Sequence, residues 1–325
     1  MRPAEPSLNR RGFLATAASA GAVLATAASG MADDTQKPAA GAIDAHAHIW
    51  TSDLDRYPLA GDQTADDLKP RDFTDKQLIE LGGQFGVDRF VLIQHGPYHG
   101  FDNSYITDAI AAHPGVFSAV AGIDDQRPDQ RAEIERLAGL GVRGFRIRPV
   151  DGGGGRWIDS PAMRSFWDHA TELRLAMCPL INPEHIPMVD EMAARTPETT
   201  VVVDHFARVG MDGEIRPADV DALCRLARHP NMHVKISAYY ALGNKRPPYT
   251  DLIPMIRRLL ESFGAERLMW ASDSPYQLAP PNSYAASLAL VREHLDFLTD
   301  AERDWLLRGT AERVFFTKDA ERTAE

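Results

Sequence analysis

Eight short runs of β-branched, aromatic and other apolar residues recur along this chain, each separated from the next by a helix-length stretch. Few folds accommodate that alternation. The runs are Ile43–Ile49, Arg89–His95, Phe117–Ile123, Val142–Pro149, Leu175–Ile181, Thr200–Phe206, His233–Tyr239 and Arg267–Asp273. Helical patterns lie between them at Thr74–Phe85, Asn103–His113, Asp129–Leu140, Ser160–Leu173, Pro187–Arg195, Ala218–Arg228 and Tyr249–Phe263. Strands joined through helices run parallel, and a count of eight predicts one α/β domain closed as a (β/α)8 barrel. A doubly wound open sheet is the alternative, but no Gly-rich dinucleotide loop follows the first run. The stretch Asp151-Gly152-Gly153-Gly154-Gly155 lacks the Lys-Ser/Thr pair of a phosphate cradle and reads as a loop over the barrel mouth.

The barrel is expected over residues 43–316, after a linker at 33–42 and before a tail at 317–325. Residues 1–32 read differently. Asn9-Arg10-Arg11-Gly12-Phe13-Leu14 is a twin-arginine pattern, and the Ala-rich apolar run behind it is too short to span a membrane comfortably. The expectation is an export signal that is removed, leaving a periplasmic or secreted protein with no stable membrane association. Removal takes away three arginines and one glutamate, so the formal charge moves from −11 to −13. An acidic body without a basic run argues against nucleic acid as a partner. It leaves room for a small anionic substrate held by local arginines, and for an oligomer. Cys178 and Cys224 sit in apolar surroundings without ligand spacing and read as buried free thiols.

In such barrels the chemistry sits at the carboxyl ends of the strands. The first run carries Asp44-Ala45-His46-Ala47-His48, and strict alternation puts Asp44, His46 and His48 on one face. Two imidazoles one residue apart suit a divalent cation such as zinc or manganese. The eighth run ends in Asp273, a carboxylate after a buried strand, which can bind a metal or take a proton from water. The expected metal set is therefore His46, His48 and Asp273. His205 ends the sixth run as a ligand, an acid/base group or a hydrogen-bonded core histidine. Arg146 and Arg148 alternate with Phe145 and Ile147, which points both guanidinium groups at the barrel axis, to meet a substrate anion or a buried ion pair. Gln94, His95 and Tyr98 cluster after the second run, placed to contact substrate. Lys235, Ser237 and Tyr239 share a face of the seventh. No Gly-x-Ser-x-Gly elbow or activated thiol is present, so water is the expected attacking species.

These motifs, with Asp204-His205-Phe206-Ala207-Arg208 and Trp270-Ala271-Ser272-Asp273-Ser274-Pro275, resemble the amidohydrolase-2 branch of the amidohydrolase superfamily over nearly the whole predicted barrel. Tyr98-His99-Gly100-Phe101-Asp102-Asn103, Gly141-Val142-Arg143-Gly144-Phe145-Arg146 and Pro183-Glu184 are most similar to its lactonase group, which includes 2-pyrone-4,6-dicarboxylate and sugar lactonases. The resemblance implies that Asp273 is the general base and that His46 and His48 face the substrate carbonyl or a metal. It also implies that His205 lies beside the scissile bond while Arg146, Arg148 and Arg208 hold substrate carboxylates or the lactone oxygen. Related decarboxylases carry a metal-binding histidine at the end of the fifth strand, where this chain has Leu180-Ile181-Asn182. The resulting expectation is a hydrolase that opens a lactone. Its rivals are a metal-dependent non-oxidative decarboxylase and a barrel that binds ligand without turnover.

Overall fold

A computed structural model describes residues 41–149, 158 and 160–316. The predicted export signal, most of the linker, the Gly-rich stretch and the tail at 317–325 lie outside the described residues. From residue 41 onward the described chain forms one compact unit. Eight strands pair in sequence order, every neighbouring pair parallel: β1 Ala42–Ala47, β2 Val87–Ile93, β3 Phe117–Ala121, β4 Val142–Ile147, β5 Ala176–Pro179, β6 Val201–Val203, β7 Met232–Ile236 and β8 Leu268–Trp270. Each ends two or three residues before its predicted end, because the apolar runs continue into residues that turn out of the sheet. The seam between β8 and β1 is closed by Asp273 N–H donating to His46 O and His48 N–H donating to Ser274 O, both at 2.8 Å. The bonds that close the barrel thus belong to the residues expected to do its chemistry.

Side chains sort into two layers. Phe90, Leu92, Phe145, Val201, Val203, Val234, Ile236 and Trp270 face outward and pack against the helices. Ile43, Ala45, Val91, Ile93, Val120, Cys178, Val202, Met269 and Ala271 fill the barrel, and Ala311, Val314 and Phe315 of the last helix join them. Small and branched residues suit that interior because strands tilt around a narrow axis. Gly144 is required where β4 passes β5: a Cβ there would stand 2.8 Å from the Ala176 carbonyl. Both cysteines are buried and free. Among the described residues no helix is long and apolar enough to cross a membrane.

One predicted pattern is corrected. Strict alternation would put Asp44 with His46 and His48, but the pairing of β1 with β2 shifts register between Asp44 and Ala47. Ile43 and Ala45 lie in the barrel interior, whereas Ala47 joins the outer layer. A register irregularity inserts a residue and flips the faces beyond it. Asp44 consequently points toward the helices and accepts bonds from Ser272 N at 2.8 Å, Ser272 Oγ at 2.5 Å and Tyr284 Oη at 3.1 Å. Burial lifts its carboxyl to about 6 against the pull of these donors. Asp44 fastens β1 to the end of β8 and lies behind the chemistry.

Candidate active site

Four residues converge where β1, β6 and β8 end. His46, His48, His205 and Asp273 are all buried. Asp273 Oδ1 stands 3.5 Å from His46 Nε2 and 3.4 Å from His48 Nε2, and Oδ2 stands 3.7 Å from His205 Nε2. Tyr240 Oη donates to Oδ2 at 2.7 Å, so Oδ1 is the oxygen left to the imidazoles. Burial drives the Asp273 carboxyl up, but His205, His48 and His46 around it hold it well below the usual carboxylate range. It is ionised at working pH. Burial pushes His205 down to about 4 and holds His46 well below its ordinary value, the latter also opposed by Lys235.

The backbone that presents these groups is strained. Asp273 has φ 61°, and His205, Phe206, Ala207 and Arg208 form an unbroken left-handed run at φ 50–57°. Such conformations cost on the order of 1–2 kcal/mol per residue and cluster at functional sites. The run turns His205 back into the mouth, where its Nδ1 meets Ser237 Oγ at 2.8 Å. It also brings Arg208, whose Nη1 donates to Asn182 Oδ1 at 3.2 Å.

Below the imidazoles lies a buried charge cluster. Val203 pairs with Val234, which sets Asp204 beside Lys235 on the next strand. Lys235 Nζ, wholly buried, is 3.0 Å from Asp204 Oδ1 and 3.2 Å from His46 Nδ1. Asp204 Oδ1 is itself 3.3 Å from His46 Nδ1, and its Oδ2 is 3.4 Å from Arg146 Nε. Burial raises the Asp204 carboxyl, but Lys235, His46 and Arg146 outweigh it and hold the group well below its ordinary value.

The donor set fits a divalent cation. His48 Nδ1 donates to the Ile93 carbonyl at 2.8 Å, so in the neutral ring Nε2 carries only a lone pair, and that lone pair faces Asp273 Oδ1. His46 Nε2 and Asp273 Oδ1 are buried without a hydrogen-bond partner. Opposed lone pairs at this range call for a cation or proton between them. Ligand atoms of His46, His205 and Asp273 lie within 4.8 Å of one another, the two-imidazole, one-carboxylate chemistry of zinc and related metals. This set differs from the expected one by one member: His205 joins His46 and Asp273, and His48 meets them through Asp273 Oδ1. Asp204 backs His46 as carboxylates commonly back metal-binding histidines.

Other expected residues divide. Arg146 is half-buried and points inward, but Arg148 lies past the end of β4 and is exposed, because the strand stops at Ile147 and alternation stops with it. Arg208 is half-buried, and burial together with nearby Arg146 lowers its pKa: the two guanidinium groups press on each other. His95 faces the site, its ring 5.2 Å from that of His48. Gln94 and Tyr98 make their side-chain hydrogen bonds to neighbouring loops. Gln94 Nε2 bonds the Asp102 carbonyl. Tyr98 Oη donates to the Asp67 carbonyl and accepts from Lys69 N, both at 3.1 Å, bracing the loop after β1 against the loop after β2. Tyr239 bonds the Ile236 carbonyl and joins the outer layer, because Ala238 at φ 57° breaks the strand before it. Sequence reasoning missed Tyr240 and Tyr276, which follow β7 and β8 in loops.

The amidohydrolase family model matches residues 43–317. The chain belongs to the amidohydrolase family. Among its relatives, the L-fucono-1,5-lactonase of Burkholderia ambifaria is 33% identical over 234 residues, covering 72% of this chain and 80% of that one. The 2-pyrone-4,6-dicarboxylate hydrolase of Comamonas testosteroni is 29% identical over 73% of this chain and 77% of its own. A solved amidohydrolase from Burkholderia multivorans with bound zinc superposes with a TM-score of 0.72 at 24% identity, covering 86% of this chain and 100% of that one. This amidohydrolase therefore shares the eight-stranded barrel of that structure, and it is a hydrolase by family.

Proposed function

We propose that this amidohydrolase opens lactones that carry a carboxylate, using water as the attacking species. The observation that carries the reading is the buried Asp273, its Oδ1 without a hydrogen-bond partner, at a barrel mouth that also holds the half-buried Arg146 and Arg208. Asp273 orients water and accepts its proton as oxygen attacks the lactone carbonyl. Arg146 and Arg208 relieve their repulsion by sharing a substrate carboxylate, and His205 stands beside Asp273 at the reacting centre. A divalent cation held by His46, His205 and Asp273 would polarise the carbonyl and make bound water more acidic. Both curated relatives described above act on lactone substrates by name. Where the resemblance would give a decarboxylase a metal-binding histidine after β5, Asn182 instead steadies Arg208.

The test is a panel of neutral sugar lactones and carboxylated lactones, assayed with chelator and again after zinc or manganese is restored. Carboxylated lactones are expected to turn over. Arg208→Ala should raise their KM roughly 10- to 100-fold, the loss of a charge-assisted hydrogen bond of about 1.5–3 kcal/mol. A panel in which no lactone is opened would sink the reading. We further propose that residues 1–32 direct export by the twin-arginine route, on the Arg10-Arg11 pattern and the apolar run behind it. A reporter fused to those residues that stays in the cytoplasm would count against it.

A further inference from the structure

Tyr276 occupies the turn after β8, three residues beyond Asp273, and its ring stands 5.9 Å from that of His48. Its oxygen lies 2.5 Å from His95 Nε2. The direction of that bond is fixed from the far side of the imidazole. The Tyr98 backbone N–H, which can only donate, is shared between the His95 carbonyl at 3.1 Å and His95 Nδ1 at 3.3 Å, so Nδ1 faces it with the lone pair. Burial, with His48, His99 and Arg146 nearby, pushes His95 down to about 2, so the ring is neutral and its one proton is on Nε2. His95 Nε2–H therefore donates to Tyr276, and the phenol's own hydrogen is left to point elsewhere. Among the described residues no acceptor takes it. Tyr276 is 36% exposed, so the residue borders the open mouth, while its oxygen meets the buried His95. Tyr240, which bonds Asp273, stacks on it with ring centroids 6.3 Å apart.

We infer that Tyr276 is a catalytic residue that gives its proton to the ring oxygen leaving from the lactone, with His95 as the positioning residue that turns the phenol's hydrogen toward substrate. The inference rests on the lactone reading of the site. Water oxygen bonds to the carbonyl carbon and one water proton passes to Asp273. The bond from carbonyl carbon to ring oxygen breaks, its electron pair stays on that oxygen, and the Tyr276 proton neutralises it. The phenolate is held by His95 Nε2–H until it recovers a proton from Asp273 through water, and the product is the open hydroxy acid. Burial and Asp273 raise the Tyr276 phenol to about 12, which keeps it protonated before each turnover.

The test uses two carboxylated six-membered lactones with unlike leaving groups: 6-oxooxane-2-carboxylic acid, which releases an alkoxide, and a dihydrocoumarin carboxylic acid, which releases a phenoxide that needs no proton to depart. Tyr276→Phe in the full chain should lower kcat/KM on the first by about 10²-fold, the usual size of a general-acid contribution. The loss on the second should be several-fold at most. His95→Gln should show the same dependence on leaving group with a smaller loss, since it leaves the phenol in place but frees its orientation. Equal losses on both substrates, or none, would overturn the inference while leaving the lactone reading intact. A wild-type enzyme that opens neither substrate, nor any other lactone, would overturn the reading and the inference with it.

Discussion

Asp273→Asn is expected to lower turnover of any lactone substrate by at least about 10²-fold, with the fold unchanged. The amide keeps the shape of the carboxylate but cannot take a proton from water. Asparagine is also among the residues that best tolerate a positive φ, so the 61° conformation survives the substitution. The backbone N–H of residue 273 still closes the seam onto His46. Steady-state kinetics beside circular dichroism decide the matter. Near-normal hydrolysis by a well-folded variant would remove Asp273 from the chemistry.

Lys235→Met carries the largest expected cost in stability. Methionine fills much of the lysine's volume and keeps the packing against Phe315, whose ring lies 5.6 Å beneath the ammonium. Its neutral tip leaves Asp204 buried with one cation fewer. Removing one partner of a buried pair typically costs about 3–5 kcal/mol, because the remaining charge is stranded. For a domain of this size that corresponds to a drop on the order of 10 °C in melting temperature. The double variant Lys235→Met with Asp204→Asn should recover part of the loss, as both charges then go together. Thermal melts of the wild type, both single variants and the double variant close the cycle. A Lys235→Met protein that melts with wild type would show that Arg146 and His46 alone compensate Asp204.

The strands were legible because those of a barrel are buried on both faces, and near-continuous runs such as Val201-Val202-Val203 have few other readings. His205 and Asp273 stood out for the same reason, each a polar residue that ends an apolar run. What escaped were the features set by neighbours. The shift that turns Asp44 outward belongs to the pairing of β1 with β2. The partnership of Asp204 with Lys235 depends on the register of β6 against β7. Polar residues at a barrel mouth look alike from sequence whether they lie against the site histidines, as His95 does, or brace a loop, as Gln94 and Tyr98 do. Tyr240 and Tyr276 carry no periodicity at all, since a turn residue acquires its direction only from the strand end that launches it.

The left-handed run from His205 to Arg208 bears on how this enzyme can change over generations. Four successive side-chain-bearing residues hold a conformation in which glycine would sit at ease, so replacements that relax the chain there lie one substitution away. Each such replacement also frees His205 and Arg208 to wander from the reacting centre. At Phe206, whose side chain is fully buried, such a replacement also gives up core packing, so strain and packing oppose each other within one segment. The tension of the chain and the aim of His205 and Arg208 therefore change together.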